Sequence, residues 1–173
     1  MNKITSIAIV LLLTSFTLFQ PGAWQTFKGE GYTILCPPDW TMDVTGLAGT
    51  KCVFFSPNDS ANDPFRENFN LIVQDLAGMN LNLDKYTEIS IEQIKSIMPN
   101  STLISSEKLQ EDALIFQKLF YTGDQGDNHL KFEQYYFVRK EKAYVLTLTC
   151  PIETFDRYQK TGEQILSSFQ FTD

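Results

Sequence analysis

The sequence predicts an α+β domain. The expected form is a three-layer α/β/α sandwich, with helices flanking a largely antiparallel sheet of about six to seven strands. Three observations carry that expectation. Two neighbouring strands near the C-terminus are apolar on both faces, two segments repeat apolar residues at helical spacing, and most strands are separated by turns too short for a parallel crossover.

The first 23 residues stand apart from that fold. Met1-Asn2-Lys3 is a short positive start, residues 4–19 form a mostly apolar run, and Pro21-Gly22-Ala23 supplies small residues after it. That layout is the one of a secretory signal peptide, and the run is short for a membrane span, which needs about 20 apolar residues. An uncleaved anchor is the alternative. Export makes the protein periplasmic or extracellular, with no membrane span in the mature chain. Cleavage after Ala23 leaves residues 24–173, about 150 residues and the size of one domain with one good core.

From there the elements follow in order. Residues 31–36 read as a strand with Tyr32, Ile34 and Cys36 on one side, stopped by Pro37-Pro38. After a Gly-containing loop, residues 51–55 return as its expected hairpin partner. Trp40 plugs this corner of the core, a ligand-stacking role being the alternative. Polar turn chemistry fills residues 56–67, and residues 68–76 form a third strand with Phe69, Leu71 and Val73 facing one way. A helix over 83–98 places Leu83, Tyr86, Ser90, Ile91, Ile94, Ile97 and Met98 on one stripe, with Asn82 as cap, Asp84 in the first turn and Pro99-Asn100 as the stop. Strands at 102–109, 113–121 and 131–139 come next, separated by polar turns.

The C-terminal stretch is the most informative. In residues 131–139, Phe132, Tyr136 and Val138 oppose Tyr135 and Phe137. Across the charged turn Lys140-Glu141-Lys142, the strand 143–150 sets Tyr144, Leu146, Leu148 and Cys150 against Val145, Thr147 and Thr149. Such strands need cover on both faces. A closing helix over 151–169, with Pro151 at its first position and Glu153 in its first turn, covers one of them through Ile152, Phe155, Tyr158, Gly162, Ile165, Leu166 and Phe169. Gly162, near the middle of that stripe, would let helix and sheet approach closely; the plainer alternative is a residue that merely weakens the helix.

Composition narrows the function classes. The formal charge is −7, and −8 once the leader with Lys3 is removed. No Lys/Arg cluster is present, so nucleic acid and anionic lipid are poor partners and the charge argues for solubility. Cys36, Cys52 and Cys150 are an odd set for an oxidising compartment. A Cys36–Cys52 bridge across the expected hairpin would be worth about 3 kcal/mol; three buried, inert thiols are the alternative.

The chain beyond the leader resembles the PsbP-like superfamily, including its small exported bacterial members, from end to end. The resemblance rests on residues 31–40 (Gly-Tyr-Thr-Ile-Leu-Cys-Pro-Pro-Asp-Trp), Val53-Phe54-Phe55-Ser56-Pro57, and Asn68-Phe69-Asn70-Leu71-Ile72-Val73. At the far end it rests on residues 143–151 and on Ile165-Leu166-Ser167-Ser168-Phe169-Gln170-Phe171. It implies a sandwich that serves as a non-enzymatic docking platform. Plant and algal members are extrinsic lumenal subunits of photosystem II that help retain calcium and chloride, and a nuclear relative binds a small GTPase. The first strand here begins soon after the leader, without the extension the photosystem subunits use in binding. The resemblance therefore implies docking rather than a photosystem role, and it carries over no functional residue.

Chemistry-bearing residues are sparse. The sequence has no P-loop, Gly-x-Ser-x-Gly or Cys-x-x-Cys, and His129 is its only histidine. The loop 123–129 gathers Asp124, Asp127 and His129, donors able to hold a divalent cation; a solvated hairpin turn explains the same residues. Asp59 and Asp63 invite the same suggestion more weakly. The expected function is an interaction or assembly module of the cell envelope, monomeric, without a catalytic residue or cofactor, docking on an envelope protein. A small-ligand or cation binder, using a crevice between sheet and helix or the 123–129 loop, is the alternative. An interaction module predicts an exposed apolar patch.

Overall fold

The computed structural model describes residues 22–61, 63–98 and 100–172, so the leader before Gly22 and Pro99 lie outside the described residues. Among these residues ten strands and two α-helices follow one another: β1 (Gln25–Gly29), β2 (Tyr32–Cys36), β3 (Thr41–Asp43), β4 (Cys52–Phe55), β5 (Asn68–Asp75), α1 (Leu83–Ile97), β6 (Thr102–Glu111), β7 (Leu114–Gln125), β8 (Asn128–Arg139), β9 (Lys142–Pro151), α2 (Phe155–Ser167) and β10 (Gln170–Phe171). Seven strands make an antiparallel sheet in the order β3-β4-β5-β9-β8-β7-β6, and β1-β2-β10 make a smaller one.

Alternation along β8 and β9 sets the layers. Tyr135, Phe137, Tyr144, Leu146 and Leu148 face α2 and the small sheet, where they pack with Tyr32, Ile34, Phe155, Ile165, Leu166 and Phe169. On the opposite face Tyr136, Ala143 and Val145 meet Tyr86 of α1, while Ile94 and Met98 pack near Tyr121, Leu130 and Phe132. Full burial of side chains of this size contributes about 1.5–3 kcal/mol each. The three-layer α+β expectation holds, with the small sheet sharing one outer layer with α2.

Several local expectations hold for their stated reasons. The Asn82 side chain accepts a hydrogen bond from the Lys85 N–H at 2.9 Å, capping α1. Trp40 is buried, with its ring edge-on to Tyr158. A Cβ on Gly162 would stand 2.3 Å from Leu148 Cδ2, so the missing side chain is what lets α2 lie against β9. All three cysteines are buried free thiols.

Other expectations are corrected. The segment Gln25–Gly29 is a strand that the sequence hides, because its alternation turns only Phe27 and Gly29 partly inward and leaves the other three residues exposed. β4 does not return against β2. Thr41–Asp43 forms a strand of its own, β4 pairs with it and with β5, and Cys36 and Cys52 therefore lie in different sheets. Pro151 closes β9 opposite Leu130 instead of opening the helix. α2 begins four residues later, with Asp156 in its first turn in place of Glu153, and Ile152 is exposed ahead of it. The helix cap, Thr154, spends its hydroxyl on Glu67 Oε1 at 2.6 Å. In α1, Ile97 is 76% exposed, whereas Thr87 is buried. The C-terminal hairpin turn is only Lys140-Glu141, both at positive φ (49° and 54°), the backbone that matches strand twist in a two-residue turn.

Candidate functional site

The loop expected at 123–129 is the tip of a long hairpin. β7 and β8 extend until only Gly126 and Asp127 turn, Gly126 with a φ of 61°, and Asp124 faces His129 across the ladder. The structure brings those two side chains together: His129 Nδ1 lies 2.6 Å from Asp124 Oδ1. Asn100 Nδ2 donates to the other Asp124 oxygen at 3.4 Å. The hydrogen bond to His129 holds the Asp124 carboxyl below its ordinary value, and the same bond pushes His129 upward. Asp127 stays in the turn between them. Among the described residues, no three His, Cys, Asp or Glu side chains gather closely enough to hold a metal ion. The earlier loop is engaged otherwise. Asp59 pairs with Arg157 and accepts from the Tyr158 hydroxyl, and Asp63 accepts from the N–H groups of Asp59 and Phe65.

A second charged cluster lies between sheet and helix. Glu133, fully buried on the α2 face of β8, has Lys118 Nζ of β7 at 2.9 Å from its Oε1, and Glu163 of α2 is 3.5 Å from the same ammonium. The contact with Glu133 is an ion pair. Burial pushes the Glu133 carboxyl up while Lys118 pulls the other way. Burial alone would lower Lys118, but pairing with Glu133 more than offsets it. The ammonium also sits over the Phe120 and Tyr135 rings, at 4.9 and 5.4 Å. This cluster fastens α2 to the sheet. Strand alternation carries its signal, since Glu133 falls on the same face of β8 as the buried Tyr135 and Phe137.

The third feature is the outer strand. β6 has β7 on one side and ends the seven-stranded sheet on the other. Eight of its ten residues are exposed, Leu103 (40%) and Ile104 (56%) among them. A bulge between Leu103 and Ser105 interrupts the register with β7. Ile97 at the end of α1 and Ile115 on β7, opposite Gln110 of β6, are exposed as well. Leu103 and Ile104 thus stand exposed on a strand that is the edge of the sheet among the described residues.

An antiparallel sheet between an α1 layer and an α2-plus-small-sheet layer defines an α+β sandwich. The comparisons place it more closely. Cyanobacterial PsbP (CyanoP) from Synechocystis sp. PCC 6803 superposes with a TM-score of 0.68 at 21% identity, covering 92% of this chain and 98% of that one. LpqN of Mycobacterium tuberculosis, involved in cell envelope biogenesis, gives 0.65 at 13% identity over 90% of this chain and 88% of its own. A Pseudomonas aeruginosa protein of unknown function gives 0.60 at 13% identity over 85% and 96%. No protein-family model and no curated protein matches the sequence. At these identities the likeness shows the fold, and the fold is PsbP-like. No helix among the described residues is long and apolar enough to cross a membrane.

Proposed function

We propose that the protein is an exported, non-enzymatic PsbP-like domain that docks on a protein of the cell envelope through its β6 edge. The observation behind the docking reading is β6 itself, an exposed ten-residue strand with β7 as its one neighbour among the described residues and with Leu103 and Ile104 exposed. A free edge offers a row of backbone donors and acceptors, and natural sheets blunt such edges unless they use them. Strand addition uses that row for affinity and alternate side chains for specificity. The occupant is an extended segment of the partner carrying basic side chains. The chain is acidic, Glu107 and Glu111 stand exposed on the edge strand, and the one lysine of β6, Lys108, is already paired with Asp84 at 2.7 Å. Export rests on the leader-like first 23 residues, and the envelope setting is supported by the likeness to LpqN.

The test is a photo-crosslinking amino acid placed at Ser106 of the full chain in its native host, with Glu88 on the outer face of α1 as control. The expected result is a discrete adduct from position 106 alone. It should map to a Lys/Arg-containing extended segment of the partner and be lost in Ile104→Asp without a change in Tm. Equal labelling from both positions, or an adduct indifferent to Ile104→Asp, would sink the docking site. A chain that fractionates with the cytoplasm and retains residues 1–23 would sink the export reading.

A further inference from the structure

A cleft of about 380 Å³ opens where the small sheet meets the β5–β9 end of the large one, away from the docking strand. Its size is at the lower end of small-molecule sites, about 300–1,000 Å³. We infer that this cleft binds a small planar carboxylic acid, held between tyrosine rings and two lysines.

The floor is aromatic and pre-set. Tyr32 and Tyr144 meet edge to face with ring centroids 5.7 Å apart, and Phe27 lies 6.3 Å from Tyr32. The Tyr32 ring is buried and packed on two sides. It lies across Gly29, where a Cβ would be 2.1 Å from Tyr32 Cζ, and it packs 5.6 Å from the Phe169 ring. A floor that need not reorganise loses little entropy on binding, and flat apolar ligands suit ring faces and edges.

The rim sets the charge of the ligand. Lys51 and Lys142 line the cleft, and among the described residues neither ammonium has a carboxylate within 4.0 Å. Lys142 stands opposite Asp75 in the β5–β9 ladder, and Asp75, which keeps its charge, accepts from the Ala77 N–H through Oδ1 at 2.9 Å. Glu30, at the β1–β2 turn, also lines the rim. Two ammonium groups without a carboxylate partner among the described residues favour an anion. The two carboxylates beside them penalise a dianion, which makes one carboxylate a better match than a phosphate.

The experiment is a titration of the ¹⁵N-labelled full chain followed by amide chemical shifts. Indole-3-acetate and benzoate are the acid probes, with indole-3-acetamide as the neutral control and phenyl phosphate as the dianionic one. Saturable shifts are expected at residues 27–32, 51, 73–75 and 142–144 with the acids, and binding at least about tenfold weaker for the amide and the phosphate. The variant Lys51→Gln/Lys142→Gln should lose acid affinity about tenfold, keep its affinity for the amide and keep its Tm. No saturable shift below about 10 mM acid, equal binding of acid and amide, shifts centred elsewhere, or unchanged acid binding by the double variant would each overturn the inference.

Discussion

Gly162→Ala tests the tightest contact in the fold. The added methyl would stand 2.3 Å from Leu148 Cδ2 and 3.0 Å from its Cδ1 and Cγ. Leu148 is fully buried on β9, an interior strand, so its end cannot swing into solvent. Either its rotamer must change or α2 must lift from the sheet. Overpacking of this kind costs about 1–3 kcal/mol. Against it, alanine is better than glycine inside a helix by about 1 kcal/mol. The two terms leave a net destabilisation of about 1 kcal/mol, and Tm should fall by roughly 2–4 °C for a chain of this size. The decisive comparison is the same substitution beside Leu148→Ala. That change alone costs about 2–5 kcal/mol, but it removes the obstacle, so Gly162→Ala should then stabilise by about 1 kcal/mol. Urea unfolding of the four proteins reads this reversal of sign directly. A Gly162→Ala variant more stable than its parent, or one that shifts stability equally in both backgrounds, would refute the close-approach argument.

Two further predictions concern titration. Burial raises the Glu133 carboxyl above its ordinary 4.5, so between that value and its folded one the native state keeps a proton that the unfolded chain has released. The stability of the wild type relative to Glu133→Gln should therefore fall as pH rises from about 4.5, then level once Glu133 ionises in the fold; a flat or rising difference in urea midpoints would contradict it. His129 is raised above 6.5 by its bond to Asp124. That pairing favours the fold below 6.5 and is lost as pH rises through the folded value. The imidazole should titrate above 6.5 by NMR and return toward it in Asp124→Asn, and a titration indifferent to Asp124 would remove the pair from solution.

What the chain determined by itself was local. Period-two alternation sorted the faces of β8 and β9, and 3.6-residue spacing located both helices. Asn82 marked a cap, and a glycine in an apolar helical stripe marked a close approach. Asp124 and His129 were legible as a polar cluster, though their direct pairing came from hairpin register. The tertiary structure decided who pairs with whom. β9 lies between β5 and β8 although α1 and β6 to β8 intervene between β5 and β9 in the chain, and that choice makes β6 an outer edge. β1 holds its place by its ladder to β2, Pro151 belongs to a strand because Leu130 lies opposite it, and Glu133 is buried because α2 closes over Lys118. Periodicity reports which face a residue takes within its own element. Edge or centre, buried pair or solvated charge, and the cleft between two sheets all depend on surfaces contributed by distant segments, whose pairing is selected by the packing of the whole core.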